Sequence, residues 1–357
     1  MTLMQAALRV DGGRNAYNSA NFRRRYGVNR VLKALGWTLT VILVLAAVAI
    51  TATVGWRPIL GPKVRATTER KYEVTPARLE RGRYLAENVM GCIECHTAAD
   101  EKTTPPTRTG APGAGTLFLE EGKMRIVAPN ITPDPDTGIG KWTDDQIARA
   151  IREGVDNQGR TLFPIMPYQE FKVISDEDVA SVIVYIRTLA PVRSQLPAQI
   201  IPFPVSRLIN NAPEPITAPV PQPNMSDPKK YGEYLTHAGG CIGCHTPQDR
   251  GQPIPNMLFA GGNVFGDVAA ANITPDPSGI SYYDAQLFHD VMHTGEVKAR
   301  VLKVMPWWLY RGMTDGDLNA MFTYLRTVAP VKHRVDNREP PTDCKLCKHR
   351  HGAGAQN

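Results

Sequence analysis

The chain has 357 residues, 42% apolar and 21% charged, with thirty prolines, thirty glycines and six cysteines, which suits two or three small folded units. Its formal charge is +7. Much of that excess lies near the N-terminus and is not interleaved with stacking aromatics, which argues against a nucleic-acid partner.

Residues 1–33 form a basic arm, with Arg9, Arg14, Arg23, Arg24, Arg25, Arg30 and Lys33 against one acid, Asp11. Residues 34–56 carry no charge and are flanked by Trp37 and Trp56. At about 1.5 Å per residue this run crosses a hydrocarbon core of about 30 Å and predicts a transmembrane helix. The positive-inside rule places the arm in the cytoplasm and everything after Trp56 on the far side, at the periplasmic face of the inner membrane. The alternative is a cleaved signal peptide, against which stand the length of the apolar run and the lack of an Ala-x-Ala site at its end. Residues 57–74 read as a linker whose Arg57, Lys63, Arg65, Arg70 and Lys71 suit lipid headgroups.

Residues 75–192 and 227–331 follow one plan twice. Gly82-Arg83-Tyr84-Leu85 precedes Gly91-Cys92, as Gly232-Glu233-Tyr234-Leu235 precedes Gly240-Cys241. Asn-Ile-Thr-Pro-Asp-Pro recurs unchanged from Asn130 and from Asn272, and Met166-Pro167 is matched by Met305-Pro306. Both copies close on Tyr-x-Arg-Thr-x-Ala-Pro-Val, ending at Val192 and Val331. Thr75 with Pro76, and Asp227 with Pro228, predict helices leading into the cysteines. Thr143 with Gln146 predicts a capping box for a helix closed by Gly154. Ser175 and Thr314 cap last helices whose Val179, Val182, Ile183 and Ile186, and Leu318, Met321, Phe322 and Leu325, fall at helical spacing. With no long alternating run to suggest a sheet, the expected fold class is all-α. Residues 193–226 hold eight prolines and read as a connector whose Ile200, Ile201, Phe203, Leu208 and Ile209 lay it along the folded units. Residues 332–357 are a tail with the remaining two cysteines.

Cys92-Ile93-Glu94-Cys95-His96 and Cys241-Ile242-Gly243-Cys244-His245 carry the chemistry. Each has two thiols to form thioethers with porphyrin vinyl groups and a histidine placed to reach the iron, so each reads as the attachment site of a covalently bound haem c. Four of six cysteines are thereby used, which argues for a compartment outside the cytoplasm and against a disulfide framework. Since His96 is the only histidine of the first copy, its iron takes Met, Lys, solvent or nothing as sixth ligand. Met166, 70 residues later in a proline-held loop, is favoured over Met124, which reads as part of a polar loop. Met305, 60 residues after His245, matches Met166 in position. Its rivals are His289 and His293, four apart on a predicted helix, with Met313 and Met321 further on. Tyr84, Tyr168, Tyr234, Trp307 and Trp308 are candidates to seal the ring edges. No catalytic acid or base stands out. The tail sequence Cys344-Lys345-Leu346-Cys347-Lys348-His349 has one residue too many for a haem cluster; it admits a disulfide or free thiols, a small metal site shared with a partner, or a third haem ligated by Lys348 or His349.

With these motifs in this order, residues 75–331 resemble the multihaem cytochrome c subunits of bacterial membrane-bound dehydrogenases for alcohols, gluconate, sorbitol and aldehydes. The resemblance implies tandem class I cytochrome c domains and puts the thioether cysteines at Cys92, Cys95, Cys241 and Cys244. It likewise puts proximal histidines at His96 and His245 and distal methionines at Met166 and Met305. It implies an electron-transfer subunit in the respiratory chain without substrate chemistry of its own, partnered by a dehydrogenase or respiratory complex and a further carrier, a cytochrome c or a quinone. Two departures are the absence of a complete third haem domain and the N-terminal span. The competing reading is a di-haem enzyme acting on peroxide or small sulfur compounds, which needs one open iron position; a third is a scaffold built on the arm and tail.

Overall fold

The structure is a computed structural model that describes residues 30–249 and 251–357. Residues 1–29 of the expected basic arm lie outside the described part. The chain divides into two units, Met1–Leu60 and Gly61–Asn357.

In the first unit, helix α1 (Arg30–Thr53) is long and apolar enough to cross a membrane once, and no part of its apolar window is buried in the protein. Thr38, Thr40, Thr51 and Thr53 return their hydroxyls to carbonyls one turn back at 2.7–2.9 Å, so these hydroxyls are satisfied within the helix. Relative to the expected span of 34–56, the helix starts earlier and stops sooner. It stops because Gly55 takes a left-handed φ of 71° and turns its N–H back to Ile50 O at 2.7 Å.

The second unit is predominantly helical. Helices α2 (Pro76–Tyr84), α3 (Asp144–Glu153) and α4 (Asp176–Ile186) belong to the first repeat. Helices α5 (Pro228–Ala238), α6 (Ala285–Thr294) and α7 (Asp315–Leu325) belong to the second. The capping residues do what their types dictate. Thr75, Ser175 and Thr314 each accept the backbone N–H three residues on, Asp227 accepts those of Lys229 and Lys230, and Thr143 and Gln146 close a reciprocal box. The first and last helices of each repeat cross closely, α2 on α4 and α5 on α7. The crossing point explains the repeated glycine: a Cβ on Gly82 would lie 1.9 Å from Ser181 O, and one on Gly232 1.9 Å from Ala320 O.

The expectation of a purely α fold is corrected by six two-stranded antiparallel sheets among the described residues. The longest pairs β1 (Thr116–Glu121) with β2 (Met124–Ala128) around Gly122. Its Thr, Leu, Phe, Ile and Val residues favour extended backbone, and a glycine with φ 57° supplies the turn; Met124 is thus a strand residue and not part of an irregular loop. The linker is not free to face lipid with all its cations. Arg65 is held by Asp145 at 2.8 Å and Glu153 at 2.7 Å on α3, so it is removed from the headgroup-facing set. The connector is laid along the first repeat by an Ile200–Arg125 bridge and by Val220 paired with Asp176.

The repeats share one continuous apolar core, to which both contribute. They meet through a reciprocal contact. Tyr84 donates to Asp317 at 2.7 Å and accepts from the Thr314 N–H; Tyr234 donates to Asp178 at 2.6 Å and accepts from the Ser175 N–H. Equivalent residues thus exchange places, which is the self-complementary pattern of a two-fold interface built within one chain. Asp178 is almost fully buried and also takes a bidentate pair from Arg81 at 2.8–2.9 Å. Burial alone would raise its carboxyl, but the Arg81 pair and the Tyr234 hydroxyl hold it below the usual carboxylate range.

Gly82→Ala and Gly232→Ala are each expected to lower stability by about 1–3 kcal/mol through overpacking. That loss outweighs the roughly 1 kcal/mol gain in helix propensity and reads as a lower thermal midpoint by circular dichroism. Because Asp178 is depressed on folding, its contribution is present above the unfolded carboxylate value and is lost as pH falls through the folded one. Asp178→Asn should therefore cost about 1–3 kcal/mol at neutral pH and shrink the acid-induced loss seen below about pH 4 in denaturant titrations.

Candidate cofactor sites at the two cysteine clusters

The route into each cluster is set by glycine. Helix α2 widens over Leu85–Val89, with Met90 N bonding Leu85 O at 2.7 Å, and Gly91 at φ 68° then starts the short helix Cys92–Cys95. In the second repeat Gly240 at φ 66° starts the helix Cys241–His245. One helical turn brings the two sulfurs to the same side and sets the histidine directly after them. Cys95 and Cys244 are reachable from solvent, Cys92 and Cys241 are part-buried, and around the position of a Cβ on Gly243 there is open space. Burial pushes the part-buried Cys92 and Cys241 thiols up to about 12, so these two sulfurs are neutral before any thioether forms.

Both histidines are oriented by a carbonyl. His96 Nδ1 lies 2.7 Å from Pro129 O, and His245 Nδ1 lies 2.7 Å from Ala271 O. A carbonyl only accepts, so Nδ1 carries the proton and Nε2 keeps its lone pair for a metal. Burial pulls both imidazoles below their usual range, against the opposing effect of the carbonyl, which keeps them neutral at pH 7.

The residue after each carbonyl is the first of the repeated Asn-Ile-Thr-Pro-Asp-Pro motif, and this explains the motif. Asn130 Oδ1 accepts from the Thr132 N–H and hydroxyl at 2.9 and 2.7 Å, while its Nδ2 donates to Val192 O at 2.7 Å. Val192 N–H returns to the Thr132 hydroxyl at 3.1 Å. Asn272, Thr274 and Val331 make the same set at 2.8, 2.8, 2.8 and 3.1 Å. Thr132 and Thr274 are fully buried. The motif therefore staples the loop that offers the carbonyl to the Ala-Pro-Val end of its own repeat. Sequence reading found both landmarks and missed that they are partners; the signal was their joint recurrence.

Met166 and Met305 are part-buried and packed on the shared core. The aromatic residue two positions after each sits on the glycine that ends the preceding helix: a Cβ on Gly154 would lie 2.5 Å from the Tyr168 ring, and one on Gly295 2.3 Å from the Trp307 ring. Each methionine loop also reaches across to the other repeat. Trp308 Nε1 donates to Glu94, between Cys92 and Cys95, at 2.8 Å, and Glu170 lies 3.2 Å from His237, ahead of Cys241. The Tyr84 and Tyr234 hydroxyls serve the repeat interface, and Trp308 joins the Met305 loop to the first cysteine cluster.

His289 and His293 make contacts of their own. His289 Nε2 meets Asn319, His293 Nδ1 meets Arg311 O, and Asp315 lies 3.6 and 3.3 Å from the two rings. In the tail Lys348 is exposed, His349 Nε2 lies 2.9 Å from Gln248 O, and both cysteines are buried.

Residues 79–190 match the family model described as Cytochrome c. The cytochrome c subunit of the quinone alcohol dehydrogenase of Gluconobacter oxydans is 34% identical over 197 residues, covering 53% of this chain and 39% of that protein. The fructose dehydrogenase cytochrome subunit of Gluconobacter japonicus is 32% identical over 292 residues, covering 77% of this chain and 57% of the relative. At family level the chain matches the cytochrome c subunits of bacterial membrane dehydrogenases. A diheme cytochrome c-type protein of Cereibacter sphaeroides is also similar, 31% identical over 198 residues, covering 52% of this chain and 64% of its own length. The chain spans less than two thirds of the length of these relatives. The donor set of this chain, with paired sulfurs, a carbonyl-oriented neutral imidazole and a packed methionine in each repeat, fits haem c.

Replacing Asn272 by Ala removes the bonds that hold the Ala271 carbonyl and leaves the buried Thr274 hydroxyl short of a partner. The expected cost is about 1–3 kcal/mol, with the ferric spectrum of that site broadened by loss of a single histidine orientation. An unchanged denaturation midpoint and spectrum would contradict the staple.

Proposed function

We propose that the chain is a membrane-anchored di-haem cytochrome c that relays single electrons. In this reading residues 75–192 and 227–331 are tandem class I cytochrome c domains. Cys92 and Cys95, and Cys241 and Cys244, hold one haem c each by thioether bonds, and the axial ligands are His96 with Met166 and His245 with Met305. Haem c supplies a one-electron iron couple when bound. The protein's own part is to fix that couple. The carbonyls of Pro129 and Ala271 hold the imidazoles in one tautomer, and the thioethers of Met166 and Met305 favour ferrous iron and raise the potential relative to paired imidazoles. The observation that carries the reading is the matching 2.7 Å carbonyl-to-histidine contact in both repeats, because equivalent sites suit transfer, whereas peroxide or sulfur chemistry needs two sites that differ.

The Trp308–Glu94 bond supports transfer between the sites, since the methionine loop of one repeat touches the cysteine helix of the other. Helix α1 would anchor the chain in the inner membrane, with the haem domains facing the periplasm as the positive-inside rule requires. The partners proposed are a membrane dehydrogenase or respiratory complex as donor and a cytochrome c or quinone as acceptor; the chain carries no substrate chemistry of its own.

The test is axial ligation. The ferric protein should show the far-red sulfur-to-iron charge-transfer band, and Met166→Leu and Met305→Leu should each remove about half of it, lower one potential and let ferrous iron bind carbon monoxide. Carbon monoxide binding by the unaltered ferrous protein, or turnover of peroxide or thiosulfate, would overturn the relay reading.

A further inference from the structure

The tail brings together four buried side chains with no part in either haem site: His333, Cys344, Cys347 and His351. One potential ligand atom from each lies within 4.8 Å of every other. Strands β3 (Pro341–Asp343) and β4 (Arg350–Gly352) form a hairpin with Asp343 opposite Arg350, and both cysteines sit in its loop. The loop is closed tightly. Cys344 N bonds His349 O at 2.9 Å, Lys348 N bonds Cys344 O at 3.1 Å, and Lys348 takes a left-handed φ of 64° that lets the chain turn back after Cys347. The Cys347 N–H points at Cys344 Sγ from 3.5 Å, a contact that stabilises negative charge on sulfur.

The histidines are arranged as ligands. His333 Nδ1 is tied to Ala260 O at 2.7 Å, which leaves Nε2 facing Cys344 Sγ at 3.3 Å. In a tetrahedral site with Zn–S of about 2.3 Å and Zn–N of about 2.0–2.1 Å, a sulfur and a nitrogen stand about 3.5 Å apart. His351 uses Nδ1 on Gly352 O at 2.9 Å, and its Nε2 is buried with no hydrogen-bond partner. An orphaned ring nitrogen in a buried cluster of two sulfurs and a second imidazole points to a ligand that accepts its lone pair. Met257 and Ala260, with Ile254 and Val331, form an apolar wall around the cysteines.

We propose that His333, Cys344, Cys347 and His351 form a closed tetrahedral structural site for one zinc ion. Two sulfurs and two imidazoles are a donor set that selects zinc, and four protein ligands leave no open position. Binding releases the two thiol protons to solvent, so two thiolates, two neutral imidazoles and Zn²⁺ sum to zero charge, which suits a buried site. The site also packs on the glycine pair that follows the second cysteine cluster. A Cβ on Gly262 would lie 2.8 Å from His333 Cε1 and 3.1 Å from Cys347 Sγ, and the neighbouring Gly261 N–H bonds His245 O at 2.7 Å. The cytochrome plan does not require His333: the first repeat has Ser194 at the equivalent place, two residues after Val192.

The full chain, purified with its haems in mild detergent, should contain about one zinc per chain by elemental analysis, separate from haem iron. Cys344 and Cys347 should resist iodoacetamide until a strong chelator is added, as read by peptide mass spectrometry on the unaltered protein. His351→Ala should lower Zn²⁺ affinity at least tenfold while the haem-to-protein ratio stays the same, a readout independent of the haem assignment. Co²⁺ exchanged into the site should give the intense visible bands of tetrahedral sulfur ligation. Fewer than about 0.1 zinc per chain after Zn²⁺ supplementation, a Cys344–Cys347 disulfide peptide, or a haem-bearing tail peptide would each overturn the proposal.

Discussion

A single backbone carbonyl decides what each cysteine cluster can do. An imidazole free to choose its tautomer presents either nitrogen, but one whose Nδ1 is fixed on Pro129 O or Ala271 O presents Nε2. That carbonyl is held by a loop, and loops yield unless tied. The tie is the buried Asn-x-Thr staple to the last residues of the repeat, which in turn follow the last helix, itself locked on the first helix at a glycine with no room for a methyl group. The chain of constraint runs from helix crossing to staple to carbonyl to ring nitrogen.

The repeats also depend on each other. Tyr84 and Tyr234 reach across to Asp317 and Asp178, and each methionine loop touches the opposite cysteine region. Such an arrangement makes the spacing of the two clusters a property of the fold and not of a flexible linker. It also couples their stability, because the apolar core is continuous through both repeats. A buried Asp178 bound by Arg81 and Tyr234 specifies this docking more sharply than apolar contact alone, since a mispaired carboxylate in that place would be left uncompensated.

Much of this was legible in the sequence because the motifs are local. Cysteine spacing, cap residues and helical periodicity act over a few residues, and the helices start at the residues the caps name. What the sequence did not disclose is long-range: that Asn130 meets Val192, that Tyr84 meets Asp317, and that Arg65 leaves the linker for α3. The β1–β2 hairpin was missed because two hydrophobic stretches broken by Glu120, Glu121 and Lys123 look like a polar loop until their pairing is known. The tail shows the same limit. His349 is nearer the cysteines in sequence, yet its ring meets Gln248 O, and it is His351, paired with Thr342 in the hairpin, that lies beside them.

The tail makes structural sense as the second repeat's version of the connector. After Val192 the chain runs back across the first repeat and pairs Ile200 with Arg125; after Val331 it runs back across the second and pairs Asn337 with Ala269 through two bonds of 2.9 Å. In both repeats the returning strand braces the segment between the cysteine cluster and the staple. The two braces are secured differently. The connector is fastened at its far end by Val220 on Asp176 and then continues into α5, so both its ends are anchored by folded structure. The tail hairpin has strands of only three residues each. A brace of that size is marginal on its own, which is the situation in which four converging soft and imidazole donors, one of them otherwise orphaned, gain most from a metal ion to close them.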